Sequence, residues 1–294
     1  MTFWNSLISR PRNAYPLFGL ALFLGLVPLN VTSAFAQGAG DLVVAPTRVV
    51  LEGRTRTAQL TLVNKGSASA TYRISVINMR MDEMGTVHEI SEPEPDQKTA
   101  EKLIRYSPRQ IVLKPGAAQA IRVLLKKPKN LEEGEYRSHM LFRAVPKDAG
   151  QSVEAAAAPA NGIQIKLIPI YGITIPVIVR HGKPEFKVSL QDMRIEPAAK
   201  KGELPKLMFS INRDGEKSAF GDLVATYKPA SGDEVVVAEI MRLAVYSPNT
   251  SRKVELKLRV PDGVKLNGGS LHLAYRAAVE NGGTLLTESK ISVP

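Results

Sequence analysis

The sequence predicts an all-β protein built as two β-sandwich domains in tandem after a cleaved leader. Three observations lead there. Short β-rich runs alternate with Gly, Pro and Asn punctuation along the chain. The runs fall into two groups of seven on either side of His181-Gly182-Lys183-Pro184, and seven is the count of an immunoglobulin-like sandwich. The 294 residues suit two domains of roughly 100 to 150 residues each.

The leader comes first. Arg10 and Arg12 precede the apolar run Leu17 to Val27, and Ala34-Phe35-Ala36 follows. A basic head, a short apolar core and a small-x-small site make a secretory signal peptide, with cleavage expected after Ala36. The run is short for a membrane span, which needs roughly 20 apolar residues. Residues 1–36 are therefore read as a signal peptide, 41–182 as an N-terminal immunoglobulin-like domain and 183–294 as a C-terminal β-sandwich. Export places the protein in the periplasm. With no cysteine, neither disulfides nor thiol chemistry are available, and packing alone must hold the domains.

In the first domain the candidate strands are Val43–Leu51, Ala58–Val63, Thr71–Met81, Gln110–Leu113, Ala120–Leu125, Gly134–Val145 and Ile163–Val179. Lys114-Pro115-Gly116 is expected to join the fourth and fifth as a hairpin. Two segments break the rhythm and read as mobile loops: the acidic stretch 82–105, with Glu92-Pro93-Glu94-Pro95-Asp96, and 147–162, with four consecutive alanines at 155–158. In the second domain the strands are 186–195, 206–211, 223–227, 235–245, 253–260, 270–279 and 285–293. Asp214-Gly215, Ser231-Gly232-Asp233, Asp262-Gly263, Asn267-Gly268-Gly269 and Asn281-Gly282-Gly283 punctuate them.

Chemistry is sparse. The four histidines, His88, His139, His181 and His272, have no metal-ligand spacing, and no nucleophile elbow, phosphate loop or dinucleotide fingerprint occurs. The reading is a non-enzyme with no catalytic residue, no metal and no cofactor. The net charge of +11 is spread singly along strands, and aromatics are only 6% of residues. Neither a nucleic-acid partner nor membrane insertion follows from that pattern. A positive bias does steer anionic groups toward the protein.

The run 163–179 stands out. Ile163, Ile165, Leu167, Pro169, Tyr171, Ile173, Ile175, Val177 and Val179 occupy its odd positions, so one face of a strand would be apolar throughout. Seventeen residues is far beyond the usual five or six. Proline inside a strand marks an edge or a bulge. The row can serve as an edge that pairs with another chain, or as ordinary core with the prolines marking a bend.

Several segments together resemble the periplasmic chaperones of pilus assembly, the PapD-like family. They are Ala45-Pro46-Thr47-Arg48-Val49-Val50-Leu51, Leu60-Thr61-Leu62-Val63-Asn64, Ser107 to Gly116 with Ile121-Arg122-Val123, Glu135 to Pro146, and Ile163-Gln164-Ile165-Lys166-Leu167. The resemblance covers residues 41 to about 182. It implies a chaperone that caps pilus- or fimbrial-type subunits by donating an edge β-strand. Ile163, Ile165 and Leu167 would be the donated side chains, Arg48 the anchor for a subunit's C-terminal carboxylate, and Glu135 with Arg180 an interdomain ion pair. The implied partners are an exported β-rich subunit and an outer-membrane usher, with edge-to-edge homodimerisation of the free chain also allowed. The family's second anchoring cation, a lysine late in the seventh strand, has no match. Aligning on the isoleucines puts Thr174 there, counting back from Arg180 puts Pro176 there, and Lys166 lies too early. A rival reading makes the chain an exported structural or adhesive module of a surface assembly.

Overall fold

A computed structural model describes residues 42–146, 170–200, 202–261 and 263–293. The predicted leader and the donor residues Ile163, Ile165 and Leu167 lie outside the described residues.

Among the described residues, ten strands build the first sandwich: β1 (Leu42–Ala45), β2 (Val49–Leu51), β3 (Thr57–Asn64), β4 (Ala70–Met81), β5 (Val87–Ile90), β6 (Ile104–Ser107), β7 (Gln110–Leu113), β8 (Ala118–Leu125), β9 (Gly134–Val145) and β10 (Gly172–His181). One sheet runs β1-β3-β8-β6. The other runs β2-β10-β9-β4-β5, with β7 also on β4. Alternation selects the core: Leu60, Leu62, Ile121 and Val123 from the first sheet meet Leu51, Tyr72, Met140, Phe142, Val177 and Val179 from the second. Each such side chain removed from water contributes about 1.5–3 kcal/mol.

The expected fold class stands, and three local expectations change. The run Val43–Leu51 is two strands on opposite sheets, divided around Pro46. The segments Gln110–Leu113 and Ala120–Leu125 are not hairpin partners: β7 pairs with β4, whereas β8 pairs with β3 and β6. Asn64 is the cause. Its buried amide donates to the carbonyls of Leu113 and Ala68, and its backbone carbonyl accepts from Gly116. The Lys114–Ala117 turn is thereby tied to the end of β3, and the chain crosses between sheets instead of reversing. Gly116 takes the φ of +71° that this turn requires.

Segment 82–105 is also more ordered than a loop. It contains β5, a 3-10 turn at Glu101–Leu103 and the start of β6. An Asp82 carboxylate oxygen accepts from the Thr86 amide, and Gly85 sits at φ +86°, closing a β4–β5 hairpin. Of the seventh run, whose residues 163–169 lie outside the described residues, the part from Gly172 forms a strand, and its apolar odd positions from Ile173 to Val179 pack into the core.

The second sandwich has β11 (Phe186–Glu196), β12 (Lys206–Gly215), β13 (Ala219–Lys228), β14 (Val235–Val245), β15 (Ser251–Lys257), β16 (Ser270–Ala277) and β17 (Leu285–Ser292). Sheet β11-β12-β15 faces sheet β14-β13-β16-β17 across a core centred on Leu207, Ile211, Leu223, Tyr227, Leu273 and Tyr275.

Candidate binding cleft and strand edge

Strand β9 is buried on both faces for nine consecutive residues. Tyr136, Met140, Phe142 and Ala144 enter the first core. The alternate residues Glu135, Arg137 and His139 therefore point the other way, and they meet the second sandwich. Register places their neighbours. Arg180 lies opposite Glu135, Ile178 opposite Arg137 and Pro176 opposite His139, while Val50 of β2 lies beside Ile178. Arg48, two residues before Val50, belongs to this same face. Met81, Ile178, Ala244 and Tyr246 form a small apolar cluster there, with Val50, Val87 and Phe220 packed against it.

The ion pair Glu135–Arg180 forms, at 3.0 Å, with the Glu135 side chain wholly enclosed. Both residues belong to the first sandwich, on adjacent strands of one sheet. The direct link to the second sandwich is the hydroxyl of Ser218, which donates to the other Glu135 oxygen and accepts from the Ser247 amide. Arg180 also donates to Glu52 at 2.8 Å, and that hydrogen bond is the main reason the Glu52 carboxyl lies below its usual range.

Arg48 is not a solvated strand arginine. Its guanidinium lies 4.0 Å from the Phe220 ring centre and 5.5 Å from that of Tyr246, and it donates to the Tyr246 hydroxyl at 3.2 Å. Arg137 stacks on the same Tyr246 ring at 4.3 Å, and its other contact is a long hydrogen bond of 3.5 Å to the Ser247 carbonyl. Burial lowers the pKa of Arg48 and brings that of Arg137 down to about 10. Burial, with Arg137 and then Arg48 adding to it, pushes His139 down to about 3. The His139 ring meets Tyr246 edge-on at 6.5 Å. The geometry thus gathers Arg48, Glu135 and Arg180 at the boundary between the sandwiches.

Two further features went unread in the sequence. Arg137 is one; the alternation of Glu135, Arg137 and His139 in a strand whose other face is apolar was its available signal. The β4–β5 hairpin is the other, because it clasps the second sandwich. The Asn249 amide donates to the carbonyls of Met81 at 3.0 Å and Asp82 at 3.2 Å, and its carbonyl oxygen accepts from Arg80. The Lys253 amide donates to the Glu83 carbonyl, and its ammonium pairs with the Glu83 carboxylate, each at 2.7 Å.

Strand β10 presents the second element of the site. Its residues 177–179 are flanked by β2 and β9. Among the described residues, 172–176 have β9 on one side and no strand on the other. Pro176 lies just before the β2 pairing begins, an edge position where a missing N–H is tolerated.

Two β-sandwiches with a buried polar boundary and, among the described residues, a strand edge with no neighbour on one side define the class of protein: an all-β chain of two sandwiches. Residues 41–180 match the family described as pili and flagellar-assembly chaperone, PapD N-terminal domain, and this part of the chain is PapD-like. That family is a chaperone class and not an enzyme class. Solved structures similar to this chain include the CsuC–CsuE chaperone–tip adhesion subunit complex of Acinetobacter baumannii, at 14% identity and TM-score 0.42 over 85% of this chain and 97% of that one. The YadV chaperone matches at 13% and 0.40 over 86% and 99%, and the Pseudomonas aeruginosa CupB2 chaperone at 12% and 0.41 over 85% and 99%. At these values the likeness argues nothing about function. No match was found among curated proteins.

Proposed function

We propose that this chain is a periplasmic chaperone that captures incomplete pilus- or fimbrial-type subunits by adding a strand to them. The reading divides it into a leader removed near Ala36, a chaperone sandwich over 41–182 and a second sandwich over 183–294. The observation that carries it is the half-open β10: among the described residues, no strand pairs with one side of Gly172–Pro176, which follow the Ile163, Ile165 and Leu167 segment in sequence. An unpaired edge offers a row of backbone donors and acceptors, and alternate apolar side chains fill a partner's groove. The resemblance of 41–180 to a chaperone domain family supports the same reading.

Arg48 serves in this reading as the carboxylate anchor, since guanidinium presents a forked, permanently charged donor. Glu135 and Arg180 keep the boundary between the sandwiches in one geometry, with Ser218 as the link across it. An exported β-rich subunit is the client, and an outer-membrane usher is the expected recipient of the complex.

The test is co-expression with an exported β-rich subunit encoded beside this chain, scored by soluble periplasmic subunit. Ile165→Asp places a charge in the donated row and is expected to abolish subunit recovery while the chaperone itself stays soluble. Recovery equal to wild type sinks the strand-donation reading.

A further inference from the structure

The sheet β1-β3-β8-β6 carries charge of one sign only. Its strands contain Arg105 and Arg122 and no Asp or Glu. Ile104, Ile121, Val123 and Leu125 are buried in the first core, so strand alternation turns both arginines to the outer face, where both are exposed. Register then lines up the outward side chains. Arg105, Leu124 and Thr57 form one row across β6, β8 and β3, and Ser107, Arg122 and Gln59 form the next. Between these rows Tyr106, Val123 and Ala58 turn their side chains into the sandwich, which leaves backbone as a floor. The result is a trough of about 660 Å³, inside the roughly 300–1,000 Å³ common for small-molecule sites. It crosses three strands, a length of about 10 Å. Its β3 end is open, since β1 pairs with β3 only from Thr61 to Asn64.

The two arginines stand on opposite walls. Arg105 faces Leu124 across β6 and β8, and Arg122 is two residues from Leu124, so the arginines are diagonal cross-strand neighbours. Long side chains meet across such a diagonal, and like charges in that position repel. Arg105 is held in place because its Nη1 donates to the carbonyls of Lys102 at 3.2 Å and Ile104 at 2.9 Å. Its other N–H groups remain for a ligand. Arg122 has no hydrogen-bond or ion-pair partner among the described residues. Past the arginines, Leu124 is 49% exposed and gives the trough an apolar wall. A second copy of this face would bring cation against cation, so charge selects an anion instead.

We propose that this trough binds a small amphipathic anion, with a carboxylate, sulfonate or phosphate head between Arg105 and Arg122 and an apolar body lying across β8 and β3 against Leu124. Two forked guanidiniums converge on the head, and the Ser107 hydroxyl, in the same row as Arg122, adds a donor. The body leaves over the open β3 end. An acidic strand added at the β6 edge fits less well, because it would run along β6 and cross the mouth of the trough without filling it. The site is separate from β9 and β10, which belong to the other sheet, and does not depend on the chaperone reading.

The test titrates the purified protein with 8-anilinonaphthalene-1-sulfonate, read by fluorescence, and with N-phenyl-1-naphthylamine, which keeps the rings and lacks the sulfonate. Wild type is expected to bind the sulfonate at one saturable site, about 10-fold or more tighter than the neutral amine, as charge-assisted forked bonds would give. Arg122→Gln and Arg105→Gln should each bring the two probes to within about twofold of each other, and Leu124→Asp should abolish both. Arg194→Gln, on the second sandwich, should change neither. Thermal melting checks that each variant is folded. Dodecanoate should displace the sulfonate probe, whereas an end-capped Val–Glu octapeptide should not. Equal binding of the two probes by wild type, or an unchanged preference in both arginine variants, overturns the proposal. Displacement by the octapeptide but not by dodecanoate also overturns it and makes the trough a protein-docking surface.

Discussion

Glu135 and Arg180 face each other across β9 and β10, with the carboxylate wholly enclosed and the guanidinium 3.0 Å away. The pair sits in one sheet, but the second carboxylate oxygen is bound by Ser218 of the other sandwich. One side chain therefore serves both a cross-strand pair and the boundary between the two sandwiches. Glu135→Gln leaves Arg180 with Glu52 alone and removes the charge that steadies the neighbouring cations. The expected loss is about 3 kcal/mol of unfolding free energy, the low end for breaking a buried pair. Urea melts check it; a loss below about 1 kcal/mol would mean that Glu52 compensates fully.

His139 gives the protein an acid sensitivity. Its folded pKa of about 3 lies below the unfolded value of about 6.5, so the folded state excludes a proton that the unfolded state binds. Stability is then complete above pH 6.5 and falls as pH drops toward 3, by up to about 1.4 kcal/mol per pH unit. The window from pH 6.5 to 5 isolates this group, because Glu52 and Asp82, whose pKa values are also lowered, titrate below it. Chemical denaturation at pH 7, 6 and 5 should show the slope in wild type and a flatter profile in His139→Gln. Equal slopes in the two would remove His139 as the cause.

Much of this architecture is legible in sequence because strands and turns are local. In the second sandwich Asp214-Gly215 closes β12, Ser231-Gly232-Asp233 lies between β13 and β14, and Asn281-Gly282-Gly283 lies between β16 and β17, so those turns fall where the sequence places them. The partners of the strands are less legible. That β7 and β8 belong to opposite sheets depends on Asn64, a buried amide reaching Leu113, 49 residues away, and nothing local announces such a tie. The β5 strand escaped because Val87-His88-Glu89-Ile90 is mostly exposed, so burial imposes no alternation on it. Arg48, Glu135 and Arg180 could be singled out by resemblance, but Arg137 could not. Its strand shows the alternating polar face, yet only the folded chain reveals that a second sandwich covers that face and denies the arginine water.

The β4–β5 hairpin makes a second, independent clasp between the sandwiches. Asn249 caps the carbonyls of Met81 and Asp82 and accepts from Arg80, and the Lys253 amide donates to Glu83. Asn249→Ala strips the amide from two carbonyls and is expected to cost about 1–2 kcal/mol. Its signature is local: hydrogen exchange at the Lys253 amide should accelerate together with that of Thr86, ahead of β9 and β10. A Lys253 amide as protected as in wild type would show that the hairpin is held by something other than Asn249.

Arg137 and Glu135 lie two residues apart on one face of β9, yet their removal is expected to have opposite signs. Glu135 satisfies cations, whereas Arg137 adds a charge whose Nε and Nη1 have no acceptor. An apolar side chain of similar length would fill the same space against Tyr246 without the desolvation cost. The cation–π contact at 4.3 Å offsets part of that cost, by about 1–2 kcal/mol at a desolvated site. Arg137→Met is therefore expected to leave the unfolding free energy unchanged or raise it by about 1 kcal/mol, read from the shift in urea midpoint at constant slope. A loss larger than about 2 kcal/mol would show that Arg137 stabilises the free protein. It would then be a structural strut whose contact with Tyr246 outweighs its desolvation.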